Sequence, residues 1–323
     1  MKYIDVNTDK SLAIKSMEKP SCQADEVLVR VKAIGINRAD ILQRQGKYPA
    51  PKGESEVLGI EVCGDIVACG STVKHWTIGD KILSLVSGGG YAEYVVIKAY
   101  HLLALPKDFT YQQGAGIAEV FLTAYQSLFL IGKLQPKEKI LIHAGASGVG
   151  SAAIQLAKAK QCFVVVTVSD QNKADACLKL GADEAIVYTE QDFVSWTKQR
   201  AFGGFDLILD VVGGDYLNKN INCAALDARI VILSMLAGRF AEQLDIAKLL
   251  LKRISITAST LRNRNDKYKA DLVTDFIEEF YQQLAMKNIV PVIDTVFPWQ
   301  EVEAAHQTMI NNKNIGKLIL EVS

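Results

Sequence analysis

The chain has 323 residues, enough for one large domain or two ordinary ones, and 49% of them are hydrophobic. Lysine plus arginine and aspartate plus glutamate balance at 36 each, so the formal net charge is +0. The sequence therefore lacks the strong overall field that draws a protein to nucleic acid or to an anionic membrane.

The cysteines and the N-terminus carry information about the compartment. The six cysteines are scattered along the chain without a CxxC pair, which is unlike a structural zinc site or a small disulfide-rich fold. The first residues, MKYIDVNTDKSL, lack the apolar region of a signal peptide. We also expect no apolar run of the roughly 20 residues that a membrane span needs. These features predict a cytoplasmic protein with reduced thiols and no membrane partner.

The chain changes its pattern near Gly114. Before it, DEVLVRVKAIGIN alternates through Val27, Val29 and Val31, and further short apolar runs are broken by Gly and Asp. This predicts a β-rich barrel-like or sandwich core. After it, apolar strands alternate with helices of about ten residues, which predicts an α/β fold with a doubly wound parallel sheet.

The same change of pattern gives the predicted domains. A Rossmann domain is assigned to residues 120–261, and a β-rich domain to 1–119 together with 262–323. The C-terminal part contributes two predicted helices and a last strand, GKLILEVS.

A glycine-rich loop, HAGASGVG, lies between the strand-like EKILI and the helix-like SAAIQLAKAK. Gly145 is predicted to allow the tight turn, Gly148 to let the backbone approach a phosphate, and Gly150 to let the helix pack against the sheet. Free N–H groups and the positive end of the helix dipole favour a pyrophosphate, so we predict a dinucleotide cofactor. The predicted contacts on this loop are Gly145, Ser147, Gly148, Val149 and Gly150.

The end of the next strand indicates which dinucleotide binds. Enzymes that use NAD usually carry Asp or Glu there, whereas this chain has Val168. Ser169, Lys173 and Tyr188 are predicted to surround a ribose 2′-phosphate, with Lys173 supplying the positive charge. We therefore predict NADPH as the cofactor. NADH is the alternative, because the acidic residue Asp170 lies two residues beyond the strand end.

In these features the chain resembles the medium-chain dehydrogenase/reductase superfamily, which implies a GroES-like fold for the β-rich domain. The segments GINRADILQRQGKYP, HAGASGVGSAAIQL, TLRNRNDKYK and NNKNIGKLILEV resemble the zinc-independent quinone oxidoreductases, and most of all their stress-inducible NADPH quinone reductase subgroup. The resemblance runs from about Val27 to the C-terminus.

The zinc-binding branch of this superfamily differs from the chain at its ligand positions. That branch has a cysteine where this chain has Asn37, and its Gly-His-Glu motif is Gly59-Ile60-Glu61 here. A catalytic zinc needs about three protein ligands, so we predict no metal. Without a Lewis acid, the acceptor should be one that takes a hydride readily, such as a quinone.

The resemblance also implies roles for individual residues. Asn37 is expected beside the nicotinamide, and Tyr48 is expected to bond a quinone oxygen or relay a proton. Ser147 is expected to contact the cofactor, and these three residues are the predicted catalytic set. Tyr48 as a packing aromatic and Ser147 as a local turn residue are the alternatives. Further cofactor contacts are implied at Thr123, Ser234, Met235, Leu261 and Asn314.

The resemblance thus implies an NADPH-dependent quinone reductase with the acceptor in a cleft between the two domains. One alternative is a reductase of enones or enoyl thioesters with the same fold. A second is a structural or AU-rich RNA-binding role, against which the balanced charge argues. The apolar runs ARIVILSM and ISITAST predict an apolar sheet edge that needs a partner, so we expect a homodimer.

Overall fold

The structure is a computed structural model that describes residues 1–200 and 202–322. Packing divides the chain into two compact units. Unit 1 comprises Met1–Leu122 and Leu261–Ser323, and unit 2 comprises Thr123–Thr260.

The N-terminal segment of unit 1 consists of short strands with a few short helices. Its strands are β1 (Lys2–Val6), β2 (Leu12–Ser16), β3 (Glu26–Gly35), β4 (Glu61–Cys69), β5 (Lys81–Leu85), β6 (Tyr94–Lys98) and β7 (Leu102–Ala104). Its helices are α1 (Arg38–Arg44) and α2 (Tyr111–Gly114); α3 (Ala118–Tyr125) begins in unit 1 and ends in unit 2, where a π-helical turn over Gln126–Ile131 follows it. The alternation read from the sequence is confirmed in β3, where Val27, Val29 and Val31 are buried. The β1–β2 hairpin and α1 were not predicted.

Unit 2 alternates strands and helices. Its strands are β8 (Lys139–His143), β9 (Phe163–Val168), β10 (Glu184–Val187), β11 (Phe205–Asp210), β12 (Ala224–Ile232) and β13 (Ser255–Ala258). Its helices are α4 (Gly148–Ala159), α5 (Gln171–Lys179), α6 (Phe193–Gln199), α7 (Tyr216–Cys223) and α8 (Ile246–Lys252).

The strands of unit 2 form one parallel sheet in the order β10-β9-β8-β11-β12-β13. Leu141, Val165, Ile208 and Ile230 lie in its buried core. The order reverses direction at β8, which is the doubly wound arrangement that places ligands at the carboxyl ends of the strands. The predicted fold class is therefore confirmed.

The C-terminal segment of unit 1 contains α9 (Asp266–Ala285), β14 (Ile293–Pro298), α10 (Val302–Ile310) and β15 (Lys317–Glu321). It adds β14 and β15 to a sheet of order β14-β15-β3-β4-β5-β7, in which β6 also pairs with β3. Strand β14 was not predicted. Because β15 pairs antiparallel with β3, the C-terminal residues lie beside the residues that end β3.

One helical stretch, Tyr111–Ile131, is 21 residues long and apolar enough to cross a membrane. The expectation that no run reaches this length was therefore wrong. In this fold 72% of its most apolar window is buried, and the core helix of a globular protein has the same length and composition. Length and composition alone therefore do not assign this helix to a membrane.

Candidate functional site

The glycine loop joins β8 to α4 in unit 2. Ser147 is the N-cap of α4, and its Oγ accepts a hydrogen bond from the Gly150 N–H at 3.0 Å. The cap orders the first turn, whose other N–H groups have no partner within the helix. The helix dipole adds partial positive charge at the same end, so the loop fits a phosphate-bearing ligand.

The glycines in this loop act differently from the predicted roles. The left-handed turn residue is Ala144, with φ of 53°, and not Gly145. A Cβ on Gly145 would lie 2.6 Å from the Cβ of Val166, so Gly145 is needed because β9 passes close by. A Cβ on Gly150 would collide with the carbonyl oxygen of Ala144, so a glycine is needed here to avoid the backbone of the same loop. A side chain at either position would force the loop or its neighbours to shift.

The residues after β9 form a second polar group in unit 2. Asp170 caps α5 by accepting the Lys173 N–H at 3.1 Å, and its carboxylate also accepts the Ser169 hydroxyl at 2.7 Å. These hydrogen bonds, with that of Ser169 the largest, lower the pKa of Asp170. The ammonium of Lys173 donates to Ser169 Oγ at 3.0 Å. Asp170 is thus engaged as a helix cap, while Ser169 and Lys173 lie together at the strand end.

The other predicted residues of unit 2 lie at the same edge of its sheet, with one exception. The Tyr188 N–H donates to Val168 O at 3.0 Å directly after β10, and the Tyr188 side chain is exposed. Ser234 and Met235 follow β12, next to the turn at Gly213. Parallel strands end at one edge, so these residues share it with the glycine loop. The exception, Thr123, is half-buried on α3.

In unit 1, Asn37 belongs to a buried polar cluster, defined here as Asn37, Glu61 and Lys317. The Lys317 ammonium donates to Asn37 Oδ1 at 2.6 Å and lies 2.7 Å from Glu61 Oε2. The Asn37 amide nitrogen donates to Gly35 O at 3.1 Å and to Glu61 Oε2 at 3.3 Å. Each member is at most 5% exposed. Both hydrogens of the Asn37 amide are therefore engaged within unit 1.

The polar cluster does not fit a zinc ion. Glu61 is its one carboxylate, and its oxygens are taken by Lys317 and by the Glu119 N–H at 2.9 Å. Ile60 offers no ligand, and an ammonium donates rather than coordinates. Across residues 1–200 and 202–322, no group of three or more His, Cys, Asp or Glu is arranged to hold a metal.

A second buried chain of polar groups runs from Asp40 to His306. The Asp40 carboxylate accepts the N–H groups of Asn37 at 2.8 Å and Gly59 at 3.2 Å. The Tyr91 hydroxyl lies 3.4 Å from the same carboxylate and 2.9 Å from His306 Nε2. Burial raises the pKa of Asp40 to about 6 and lowers the pKa of His306 to about 3.

Tyr48 lies in the loop after α1, half-buried, with the guanidinium carbon of Arg262 5.6 Å from its ring centre. Burial raises the pKa of the Tyr48 hydroxyl, and the Arg262 charge partly opposes this. Arg262 donates from Nε to Ser87 O and from Nη2 to Gln43 Oε1, each at 2.7 Å. Sequence reasoning missed Arg262, whose only signal was its place in TLRNRNDKYK.

The remaining predicted residues of unit 1 have structural contacts. Leu261 is buried immediately before Arg262. The Asn314 amide donates to Gly316 O at 2.7 Å and so holds the turn that leads into β15. Neither contact tests the cofactor roles that the resemblance implies.

Two family models match this chain. The alcohol dehydrogenase GroES-like domain matches residues 23–107, and the zinc-binding dehydrogenase model matches residues 148–278. The chain belongs to the medium-chain dehydrogenase/reductase superfamily. Both models are described as models of dehydrogenases, which agrees with the nucleotide-binding geometry of the loop in unit 2. The zinc-binding dehydrogenase model is named for a metal, but no group of three or more His, Cys, Asp or Glu among the described residues is arranged to hold one.

Individual relatives differ in what their names say. The chain is 30% identical over 318 residues to the synaptic vesicle membrane protein VAT-1 homolog of Danio rerio, covering 94% of this chain and 65% of that protein's length. The structure of Escherichia coli quinone oxidoreductase complexed with NADPH is 26% identical, with a TM-score of 0.88 and 99% of both chains covered. CurK enoyl reductase is 25% identical, with a TM-score of 0.87, covering 100% of this chain and 99% of that one.

Proposed function

We propose that this protein is an NADPH-dependent, zinc-independent quinone reductase of the stress-inducible quinone reductase subgroup. The observation that carries the proposal is the polar cluster, in which Asn37 stands at the position of a cysteine ligand and the Glu61 carboxylate is paired with Lys317. Without a Lewis acid, the chain can act on an acceptor that is already electrophilic, and a quinone is such an acceptor. The similarity to a quinone oxidoreductase bound to NADPH supports this choice.

The cofactor would be held by unit 2. The N-terminal turn of α4, capped by Ser147, would hold the pyrophosphate, and the Ser169–Lys173 pair would hold a 2′-phosphate. Bound there, a reduced nicotinamide cofactor supplies the hydride. The preference for NADPH over NADH rests on Val168 at the end of β9 and on Asp170 being engaged as a helix cap.

The acceptor would bind next to Tyr48. A tyrosine hydroxyl is protonated at neutral pH, and burial raises the pKa of Tyr48 further, so Tyr48 can donate a hydrogen bond to an acceptor oxygen. The chain's own contribution is then positioning, exclusion of water and this donor.

The experiment is steady-state oxidation of NADPH with an ortho-quinone and an enone side by side, with and without a strong chelator. We expect turnover of the quinone that survives chelation, and metal analysis without stoichiometric zinc. Faster turnover of the enone would favour the enone or enoyl-thioester alternative. A salt-dependent shift of AU-rich RNA that NADPH does not affect would favour the RNA-binding role.

Tyr48→Phe tests the donor. Removing the hydroxyl should lower kcat for the quinone about tenfold, which corresponds to ~1.4 kcal/mol in the transition state, and leave the Kd for NADPH nearly unchanged. A silent Tyr48→Phe variant would show that Tyr48 is a packing residue and that water supplies the proton.

We further propose a cytoplasmic homodimer formed through the β13 edge of unit 2. All four residues of β13 are exposed, and Leu250 and Leu251 of the neighbouring α8 are 73% and 76% exposed. An apolar, unpaired sheet edge is an aggregation hazard that a second copy would cover. Light scattering at micromolar concentration should give twice 35.4 kDa, and a mass of 35.4 kDa would contradict the dimer.

A further inference from the structure

Two buried cations lie together in unit 1 next to Tyr48. Arg262 is 4% exposed and Lys269 is 7% exposed. Both donate to the same neutral residue, Arg262 from Nε to Ser87 O and Lys269 from Nζ to Ser87 Oγ, each at 2.7 Å. The neutral residue Ser87 thus holds two positively charged side chains close together.

No carboxylate in the described part of the chain forms an ion pair with either cation. Asp40 and Glu54 favour the charged form of Arg262, and Glu54 and Asp266 that of Lys269, only through longer-range attraction. Buried charges in proteins are normally paired, because an unpaired one loses its hydration without compensation. This site therefore has surplus positive charge that a negative ligand would balance.

The guanidinium of Arg262 also has an unused donor. Nε and Nη2 bind Ser87 and Gln43, whereas Nη1 is buried without a hydrogen-bond partner. A buried donor without a partner is costly and in native proteins usually has a reason. The half-buried Tyr48 ring lies over the same guanidinium, with the Arg262 guanidinium carbon 5.6 Å from its centre, so the unpaired donor and the proposed acceptor residue are neighbours.

We propose that Arg262, supported by Lys269, is a binding subsite for a negatively charged oxygen of the acceptor. The inference rests on the proposed reductase function and assigns the residue that receives the developing charge. Hydride addition brings one electron pair to a carbon of the quinone, and a pair from the conjugated π system moves onto a carbonyl oxygen. Arg262 stabilises that oxyanion and keeps its own protons, and the oxygen then takes a proton from the Tyr48 hydroxyl or from water. A fixed anionic group on the acceptor could use the same subsite.

The test compares Arg262→Gln and Arg262→Lys with Arg264→Gln. Arg264 is the matched control, because it lies in the same loop with its guanidinium over the Tyr268 ring at 4.6 Å but is exposed. The substrates are an ortho-naphthoquinone and its sulfonate, with NADPH Kd and thermal unfolding measured for every variant.

If the charge arises on the carbonyl oxygen, Arg262→Gln should lower kcat for both quinones by about tenfold or more, with partial rescue in Arg262→Lys. If the subsite binds a fixed anion, the loss should be in KM and only for the sulfonate. Arg264→Gln should match the wild type in both cases. Unchanged kcat and KM for both quinones in a folded Arg262→Gln would overturn the proposal.

Binding of the sulfonated hydroquinone, followed by tryptophan fluorescence, separates this inference from the proposed function and does not depend on turnover. A wild type that reduces no quinone but binds this probe through Arg262 would refute the quinone reductase and retain the subsite. A wild type that reduces quinones, with equal probe affinity in wild type and Arg262→Gln and equal kinetics, would refute the subsite alone. Should Arg262→Gln fail to fold, Lys269→Met is measured in the same way, with weaker effects of the same kind expected.

Discussion

The glycine loop of unit 2 and the polar cluster of unit 1 are built in opposite ways. The loop uses eight consecutive residues, from His143 to Gly150, and its contacts are mostly local, such as Ser147 Oγ with the Gly150 N–H. The cluster joins residues from three distant places, and Asn37 and Lys317 are 280 positions apart. The loop makes its site from backbone N–H groups, whereas the cluster is made of side chains that balance one another. Loss of a cluster member should therefore damage the fold, and loss of a loop residue should mainly damage binding.

The largest effect is expected from Lys317→Met. This change leaves the fully buried Glu61 carboxylate without its cation, and breaking a buried pair from one side typically costs about 3–5 kcal/mol. Urea unfolding should show a loss of this size in the free energy of unfolding. Lys313→Met, at an exposed position shortly before β15, is the control and should change little.

The double variant Lys317→Met with Glu61→Gln sharpens this prediction. Removing both charges takes away the uncompensated carboxylate, so much of the lost stability should return. If the free energy of unfolding of Lys317→Met lies within about 1 kcal/mol of the wild-type value, the polar cluster does not stabilise the fold as proposed here.

The second effect concerns the cofactor end of unit 2. Lys173→Ala removes the ammonium beside Ser169 and should narrow the affinity gap between NADPH and NADH by about 1–3 kcal/mol, the range for hydrogen bonds to charged groups. Titration of each purified variant with both cofactors measures this. Lys179→Ala, exposed in the last turn of the same helix, should leave the gap unchanged. Equal affinity of the wild type for the two cofactors would refute the NADPH preference.

The difference between the two regions also explains what the sequence could predict. A strand, a glycine-rich turn and a helix follow one another at 139–159, so the loop and its sheet were found from spacing alone. The role of each glycine could not be predicted in this way, because Gly145 is required by its contact with Val166 on another strand. Lys317 and Arg262 were missed for the same reason. An isolated Lys or Arg in sequence reads as a surface residue until the fold shows it buried.

The third effect is the pH dependence of stability in unit 1, where Asp40 and His306 act in opposite directions. The folded pKa of His306 is about 3 against 6.5 ordinarily, so its neutral form is stabilised, and that contribution is lost as pH falls below 6.5. The folded pKa of Asp40 is about 6 against 3.8, so the native state binds the extra proton. Stability from Asp40 therefore rises as pH falls through 6. The two contributions largely cancel between pH 8 and pH 5.

Asp40→Asn should expose the His306 contribution. The variant should lose about 2 kcal/mol of unfolding free energy between pH 8 and pH 5, while the wild type stays within about 1 kcal/mol. In His306→Gln only the Asp40 contribution is left, so the free energy of unfolding of this variant should rise as the pH falls from 8 to 5. Urea unfolding at a series of pH values measures all three proteins, and parallel curves for all of them would contradict the assignment.

The smallest effect on stability is expected at the loop itself, from Ser147→Val. The substitution removes the oxygen that caps α4, which should cost about 1 kcal/mol of unfolding free energy. It also places a branched apolar group where the phosphate would lie, so the apparent KM for NADPH should rise as well. Asp245→Ala is the matched control, because Asp245 caps α8 in the same unit by accepting the Lys248 N–H at 3.1 Å. It should lose similar stability and keep the wild-type KM. If both variants raise KM equally, the cofactor effect is a general consequence of a weakened unit 2, and Ser147 is a helix cap without a part in binding.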